Sequence, residues 1–184
     1  MNRALVEKLP VSYDIDKLKD EVEQLISNVG IEQSTNQICL MHSTRCQNQW
    51  YDGTGNLTLK NQIKQSNLQD LDYSIINKNI ADMYLGSILK VLKAQYKICR
   101  ARIMIMQPKS CYSWHQDTLP RLHIAIKTNE HCRMAFETGT WHIPADGFVY
   151  ATKTTNFHSA FNGSFDSQRI HLVMSYNKKF GDNK

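Results

Sequence analysis

The chain has 184 residues, of which 41% are hydrophobic and 21% charged, proportions of an ordinary globular protein that argue against disorder. This length is enough for one domain with its own core, so we expect a single domain over residues 1–184. No apolar run approaches the ~20 residues that cross a bilayer, and residues 1–10 lack the apolar core of a secretory signal. The sequence therefore predicts a cytoplasmic protein without a membrane partner.

The net charge of +5 and the five cysteines narrow the functional classes further. Because the lysines and arginines are spread along the chain, nucleic acid is not favoured as a partner. The cysteines are odd in number and form no CxxC pair, which argues against a disulfide framework or a cysteine zinc site. We expect five reduced thiols.

Two segments of the N-terminal half have helical periodicity. Apolar residues recur between Leu18 and Ile26, behind Asp14 or Asp16 as a candidate N-cap. A second apolar stripe predicts that about 78–95 forms the longest helix. Between the two helices, Gln37 to His42 predicts a short strand, and the polar stretch 47–70 predicts a mobile loop.

From about residue 97 the pattern changes to short apolar and β-branched runs separated by turns. Such runs predict a mainly β fold, a sandwich or barrel. We expect helical support over about 1–96, packed against a β core over about 97–177. The predicted strands are 98–106, 120–127, 132–137, 147–152 and 168–176.

A candidate metal site begins at His115-Gln116-Asp117. In an extended segment residues i and i+2 point the same way, so His115 and Asp117 can reach one ion. His158, on a later β segment, supplies a third ligand. Two imidazoles and one carboxylate on one face of an octahedron leave three open positions, which suits ferrous iron that binds a bidentate cosubstrate and oxygen.

Arg169, eleven residues after His158, connects this pattern to a known family. The chain resembles the Fe(II)/2-oxoglutarate dioxygenase superfamily, where a basic residue some ten positions after the distal histidine binds the cosubstrate's far carboxylate. The stretches 121–129 (RLHIAIKTN) and 169–173 (RIHLV) are similar to stretches of its aspartyl/asparaginyl β-hydroxylase group. The resemblance covers about residues 100–176.

This resemblance implies a double-stranded β-helix (jelly roll, cupin-like) core and an enzyme that uses Fe(II), 2-oxoglutarate and molecular oxygen. His115, Asp117 and His158 would hold the metal and take part in catalysis, and Arg169 would hold 2-oxoglutarate. Some animal members of the group lack the carboxylate ligand that Asp117 supplies here. Free-proline hydroxylases of related build carry the full triad.

Strand alternation places Arg121 and His123 on one face of the segment 121–127, and Arg169 and His171 on one face of 169–176. The opposite face of each segment is fully apolar. Burying arginines is costly unless an anion neutralises them, so these faces predict a site for a dicarboxylate. In the family the Arg-x-His strand that matches Arg121 and His123 is associated with cosubstrate binding. Arg121 is then either a second clamp on the cosubstrate's near carboxylate or the anchor for a carboxylate of the substrate.

Three functions remain open on these grounds. The first is hydroxylation of an amino-acid carbon, in a small molecule or in an aspartyl, asparaginyl or prolyl residue of a polypeptide. The second, nucleobase demethylation, is disfavoured because such enzymes carry a second arginine six residues after the first, where this chain has Ser175. The third is a non-catalytic, cupin-like binding protein. We expect Trp114 and Trp141, which flank the site in sequence, to pack in the core rather than line the pocket.

Overall fold

Two antiparallel sheets face each other in the computed structural model, which describes residues 4–31, 34–57 and 67–177. The major sheet has the strand order β1-β10-β7-β12-β5-β2 and the minor sheet the order β6-β11-β8-β9, with a separate β3-β4 pair. The strands are β1 Val6–Ser12, β2 Gln37–Cys39, β3 Met41–His42, β4 Ile75–Ile76, β5 Ile98–Met106, β6 Ser110–Cys111, β7 Arg121–Lys127, β8 Cys132–Phe136, β9 Gly139–Trp141, β10 Phe148–Thr152, β11 His158–Asn162 and β12 Arg169–Tyr176. The fold is mainly β, a jelly roll with supporting helices, as the sequence predicted.

The first helix, α1 (Ile15–Val29), begins where the sequence places its N-cap. The Asp14 carboxylate accepts a hydrogen bond from Lys17 N at 3.0 Å, which satisfies one of the free amides of the first turn. Leu18, Val22 and Leu25 are buried at the predicted helical spacing. The helix ends at Gly30, whose φ of 75° suits a residue without a Cβ.

The second helix, α2 (Tyr84–Tyr96), is shorter than predicted. Residues 78–80 form a separate 3-10 turn, and α2 has 13 residues against 15 in α1, so the prediction of one longest helix over 78–95 is wrong. The reason is tertiary. Both oxygens of Glu21, on α1, accept hydrogen bonds at 2.8 Å from the amides of Tyr84 and Leu85. A carboxylate at this helix start satisfies free amides and complements the helix dipole.

The five strands predicted in the C-terminal half are confirmed to within about a residue at each end. The short strand predicted over Gln37–His42 is divided: β2 pairs with β5, whereas β3 pairs with β4. Strand β1 was not predicted, because Glu7, Lys8 and Pro10 interrupt its apolar pattern. It pairs only with β10 at the sheet edge, a position that tolerates a proline.

The predicted loop 47–70 lies partly outside the described residues, which omit 58–66. Its described part packs closely on the major sheet. Cys39 N donates to Trp50 O at 2.6 Å, Thr54 is fully buried, and Asp70, at the other end, is only 4% exposed. Asp70 begins a 3-10 turn that extends to Asp72.

The two faces of the major sheet divide as strand alternation predicted. Its apolar face packs with α1 and α2 in one hydrophobic cluster that includes Leu122, Ile124, Leu172 and Met174. The opposite face lies toward the minor sheet, and its polar residues are buried there. No helix of the described residues is long and apolar enough to span a membrane.

Candidate metal centre and anion pocket

The three predicted ligands meet at the mouth of the sandwich. The chain from Ser110 to His115 runs antiparallel to β11, and His115 and His158 exchange backbone hydrogen bonds of 3.0 and 2.9 Å. Asp117 N donates to Thr154 O at 2.8 Å, which holds the next turn against β10. One ligand atom from each of His115, Asp117 and His158 lies within 4.8 Å of the others.

Hydrogen bonds orient both imidazoles. His115 Nδ1 lies 2.7 Å from Ser113 O, and His158 Nδ1 lies 3.0 Å from Asn156 O. A carbonyl oxygen only accepts, so each Nδ1 carries the proton and each Nε2 keeps its lone pair. Metal-bound histidines usually have such a hydrogen bond at the ring nitrogen that does not bind the metal. Burial lowers the pKa of His158, which favours the neutral form that a metal requires.

Arg121 grips the carboxylate of Asp117. Its Nε and Nη2 donate to the two oxygens of Asp117 at 3.0 and 2.8 Å. Burial alone would raise the pKa of Asp117, but the charge and hydrogen bonds of Arg121, with smaller contributions from His158 and Thr154, together lower that pKa. Asp117 Oδ2 also lies 3.7 Å from His158 Nε2. The carboxylate is therefore ionised and directed toward the two imidazoles, as a metal ligand must be.

Behind Asp117 lies a set of buried charges that we call the ion-pair cluster: Asp70, Arg100, Arg121 and Asp117. Asp70 Oδ1 accepts from Arg100 Nη1 at 3.1 Å and from Arg121 Nη1 at 3.0 Å. Thr118 and Ser175 also donate to Asp70 through their hydroxyls. Burial would raise the pKa of Asp70, yet the two guanidiniums hold it well below its usual range. Each charge in this cluster has an opposite charge beside it.

A second group of polar side chains on the same sheet face lacks such partners, and we call it the unpaired basic cluster: Arg102, His123, Arg169 and His171. All four are buried. In the described part of the chain, the single hydrogen bond of the Arg169 side chain is to His171 Nδ1, at 3.0 Å. Because that nitrogen accepts, the His171 proton is on Nε2, which has no partner. Both ring nitrogens of His123 also lack partners.

The surroundings of this second cluster set its charge. Burial lowers the pKa of His123 and of His171 well below the ordinary value, and the charge of Arg169 adds to the effect. Both histidines are therefore neutral near pH 7. Burial lowers the pKa of Arg169 and of Arg102, but a guanidinium is not deprotonated in proteins, so both stay cationic. Neither has a carboxylate hydrogen-bonded to it among the described residues. Donors that converge without an acceptor are suited to an anionic ligand.

The two tryptophans near the site differ in their surroundings. Trp141 packs edge-on against Phe136 with ring centroids 5.5 Å apart, as expected for a core contact. Trp114 is 48% exposed, so the prediction that it packs in the core is wrong. It follows Ser113, whose carbonyl oxygen lies 2.7 Å from His115 Nδ1.

Sequence reasoning missed three charged residues of this region, Asp70, Arg100 and Arg102. The two arginines had a usable signal, since Arg100-Ala101-Arg102 places cations at i and i+2 in an otherwise apolar strand. This is the same pattern that singled out β7 and β12. Asp70 had no signal, because it comes from a distant polar stretch and reaches the site only through the fold.

Comparisons with known proteins identify the family and the fold. The sequence profile of the aspartyl/asparaginyl β-hydroxylase family matches residues 14–179. No curated protein matches the chain significantly.

Solved structures with the same fold are distant in sequence. A viral collagen prolyl hydroxylase from Paramecium bursaria Chlorella virus-1 is 13% identical, with a TM-score of 0.51 over 95% of this chain and 94% of that one. AviO1 from Streptomyces viridochromogenes Tue57 is 13% identical, with a TM-score of 0.55 over 97% and 91%. An oxidoreductase of the 2OG-Fe(II) oxygenase family from Burkholderia pseudomallei is 16% identical, with a TM-score of 0.54 over 97% and 87%.

At these identities the solved structures establish the jelly-roll fold, and the profile match over most of the chain establishes the family. The chain belongs to the aspartyl/asparaginyl β-hydroxylase family.

Proposed function

We propose that this protein is an Fe(II)- and 2-oxoglutarate-dependent oxygenase that hydroxylates an amino-acid carbon. The observation that carries the proposal is the convergence of His115, Asp117 and His158 within 4.8 Å, with both imidazoles tied at Nδ1 and open at Nε2. The family membership and the unpaired basic cluster support it.

The residues fit both groups that the proposal requires. Two neutral imidazoles and one ionised carboxylate form the facial set that ferrous iron accepts. Arg169 is 3% exposed and has no carboxylate partner among the described residues, so the far carboxylate of 2-oxoglutarate would neutralise it. When bound, iron and 2-oxoglutarate supply the oxygen activation that hydroxylation needs.

The chain's own residues have separate tasks in this scheme. Arg121 keeps Asp117 ionised and aimed at the metal position. Four of its five N–H groups bond to Asp117, Asp70 and Ser175, which leaves one for the clamp on the near carboxylate that the resemblance predicts. His123, neutral and without a hydrogen-bond partner, is the other residue proposed to contact that carboxylate.

Nucleobase demethylation is not favoured by the surroundings of Ser175. This residue stands where such enzymes carry a second arginine, and its hydroxyl is bonded to Asp70 at 2.8 Å. It is fully buried beside Arg121. An arginine at this position would lie against the ion-pair cluster, in which Asp70 and Asp117 already have guanidinium partners.

The test is an anaerobic titration of the purified chain with Fe(II) and then with 2-oxoglutarate. We expect one ferrous ion per chain and a visible charge-transfer absorption when 2-oxoglutarate chelates it. His115→Ala and His158→Ala should abolish metal binding, while His131→Ala, on an exposed histidine, serves as the matched control. Succinate release in air then separates an enzyme from a cupin-like binder. Normal iron binding by His158→Ala would overturn the assignment.

A further inference from the structure

The interior that faces the metal site carries more positive charge than the proposed iron and 2-oxoglutarate would neutralise. Four buried arginines lie there (Arg100, Arg102, Arg121 and Arg169), and the described residues place two carboxylates, Asp70 and Asp117, among them. Ferrous iron would add two positive charges and 2-oxoglutarate two negative charges, so the excess would remain. Buried positive charge without a partner is costly, which points to a further anion.

The individual contacts identify which arginine is left over. Arg100 and Arg121 are both bonded to Asp70, and Arg121 also holds Asp117. Arg169 is the proposed partner of the cosubstrate's far carboxylate. Arg102 has a single hydrogen bond among the described residues, from Nη1 to the neutral Oε1 of Gln37 at 3.0 Å. Its Nε is buried and has no partner.

Arg102 lies on the same face of the major sheet as the proposed site. Its Cα partner on β12 is Val173, whose partner on β7 is His123. Residues directly opposite share a face, so Arg102 points into the interior two strands, about 10 Å, from His123. Tyr112, three residues before His115, lies close enough to Arg102 and Arg169 for both charges to act on it. Burial raises its pKa, and the charges of Arg169 and Arg102 both oppose that rise.

Gln37 holds the Arg102 guanidinium in a fixed orientation. Its Oε1 accepts from Arg102 Nη1 and also from Gly55 N, each at 3.0 Å. The loop at Gly55 is in turn held by Arg100, which donates to the carbonyls of Gly53 and Gly55. The Nη1 side of Arg102 is thus occupied and its Nε side is free. A free edge of a preoriented guanidinium is the part that grips a carboxylate in bidentate fashion.

We infer that Arg102 binds a carboxylate of the primary substrate, and that this substrate is a free amino acid. This inference rests on the proposed function and names the substrate class for the same site. Arg102 is 5% exposed, so the carboxylate must enter the interior, which a small molecule can do more readily than the main chain of a folded polypeptide. Arg121 is then not the substrate anchor, because four of its five N–H groups bond to Asp117, Asp70 and Ser175 and the fifth is proposed for the near carboxylate of 2-oxoglutarate.

The experiment begins with wild-type protein loaded with Fe(II) and 2-oxoglutarate. Succinate release is measured with each proteinogenic L-amino acid and with its α-carboxamide. We expect at least one free amino acid to accelerate release and its α-carboxamide, which lacks the charge, to fail. The variants Arg102→Gln and Arg102→Lys are then compared with Arg133→Gln, the same change on the outer face of the minor sheet.

Arg102→Gln should raise the KM for the amino acid by about 30-fold or more, the lower end of the range for truncating a buried ion pair. Arg102→Lys should retain part of the affinity, and Arg133→Gln all of it. The 2-oxoglutarate titration of Arg102→Gln, followed by charge-transfer absorption, should match that of the wild type. Without ligands this variant should melt no lower than the wild type, because it loses an unpaired buried charge.

Several outcomes would overturn the inference while leaving the proposed function intact. One is equal stimulation by amino acids and their amides, and another is stimulation by peptides alone. A third is that no amino acid accelerates succinate release although iron and 2-oxoglutarate bind. A loss of cosubstrate affinity in Arg102→Gln would make Arg102 a cosubstrate residue instead. Failure of the wild type to bind iron or 2-oxoglutarate would count against the proposed function itself.

Discussion

The ion-pair cluster and the unpaired basic cluster lie side by side on one face of the major sheet, yet they satisfy their charges differently. In the ion-pair cluster, Asp70 accepts from two guanidiniums and a hydroxyl through Oδ1 alone. In the unpaired basic cluster, the hydrogen-bond partner of Arg169 within the described ranges is the neutral His171. The first group is complete within the protein, whereas the second requires a ligand to complete it.

Whether a buried arginine has a bonded carboxylate distinguishes a structural role from a ligand-binding role, which residue composition alone does not do. Both clusters contain buried arginines on neighbouring strands, and burial by itself says nothing about their purpose. A buried charge with a bonded counter-charge is destabilising when that partner is removed. A buried charge without one destabilises the empty protein and is retained for binding. Mutations in the two clusters should therefore affect different measurements.

The largest expected effect is on stability in the ion-pair cluster. Asp70→Ala leaves Arg100 and Arg121 without their shared carboxylate and should lower the free energy of unfolding by about 3–5 kcal/mol, the cost of breaking a buried ion pair. Denaturant unfolding of the metal-free protein measures this. Asp166→Ala, at an exposed aspartate, is the matched control. A loss below 1 kcal/mol would show that the cluster is not structural.

The unpaired basic cluster should respond in binding rather than in stability. Arg169→Gln removes the proposed partner of the far carboxylate and should weaken 2-oxoglutarate binding by about 2–5 kcal/mol, while iron still binds. The unfolding free energy of the empty variant should be unchanged or higher. If Arg169→Gln destabilised the empty protein as strongly as Asp70→Ala, the distinction between the clusters would be wrong.

The stability of the protein should depend on pH through both clusters, through the histidines at higher pH and through the carboxylates at lower pH. The pKa values of His123 and His171 lie well below the ordinary value in the folded protein, first because of burial and then because of Arg169. Below about pH 6.5 the unfolded chain binds protons that the folded chain refuses. Stability should then fall by up to about 1.4 kcal/mol per pH unit for each histidine, until the folded pKa is reached.

The carboxylates of the ion-pair cluster act at lower pH. The pKa values of Asp70 and Asp117 are lowered by the guanidiniums despite burial. Their stabilisation is fully present above about pH 4 and is lost as the pH falls through the folded pKa values.

Denaturant unfolding of the metal-free protein between pH 7.5 and 5 measures the loss of stability that His123 and His171 cause. His171→Asn should flatten it and the exposed His131→Asn should not, whereas equal stability at pH 7.5 and 5 would contradict the assignment.

The smallest effect is expected at a surface ion pair. Lys8 Nζ lies 2.8 Å from Asp146 Oδ2 and 3.6 Å from the centre of the Phe148 ring, with the lysine side chain 47% exposed. Lys8→Ala should cost about 1 kcal/mol or less, because solvent and salt screen exposed charges. Measured beside Asp70→Ala, it separates the effect of burial from that of an ion pair. A similar loss in both variants would mean that burial is not what makes the ion-pair cluster important.

Much of the fold was determined by local sequence. The strands from β5 to β12 that have alternating or continuous apolar runs were predicted, because strand periodicity records which face is buried. The start of α1 was predicted because Asp14 acts on neighbouring amides. Strand β1 and the start of α2 were not, since one depends on pairing with β10 and the other on Glu21 from a different helix.

The candidate site also has residues that local sequence predicted and residues that only the tertiary structure brought to it. His115, Asp117 and His158 were predicted from sequence because their residue types suit a metal and strand alternation lets the first two reach one ion, and Arg169 was predicted from the resemblance to a known family. The structure places the first three together, and it buries Arg169 on the predicted face. Which arginines are neutralised was decided by tertiary structure alone. Asp70 joins Arg121 across 51 positions of the chain, and Arg102 has no carboxylate bonded to it in the part of the chain that the structure describes. The partner of a charge depends on distance in space, which leaves no trace in local sequence.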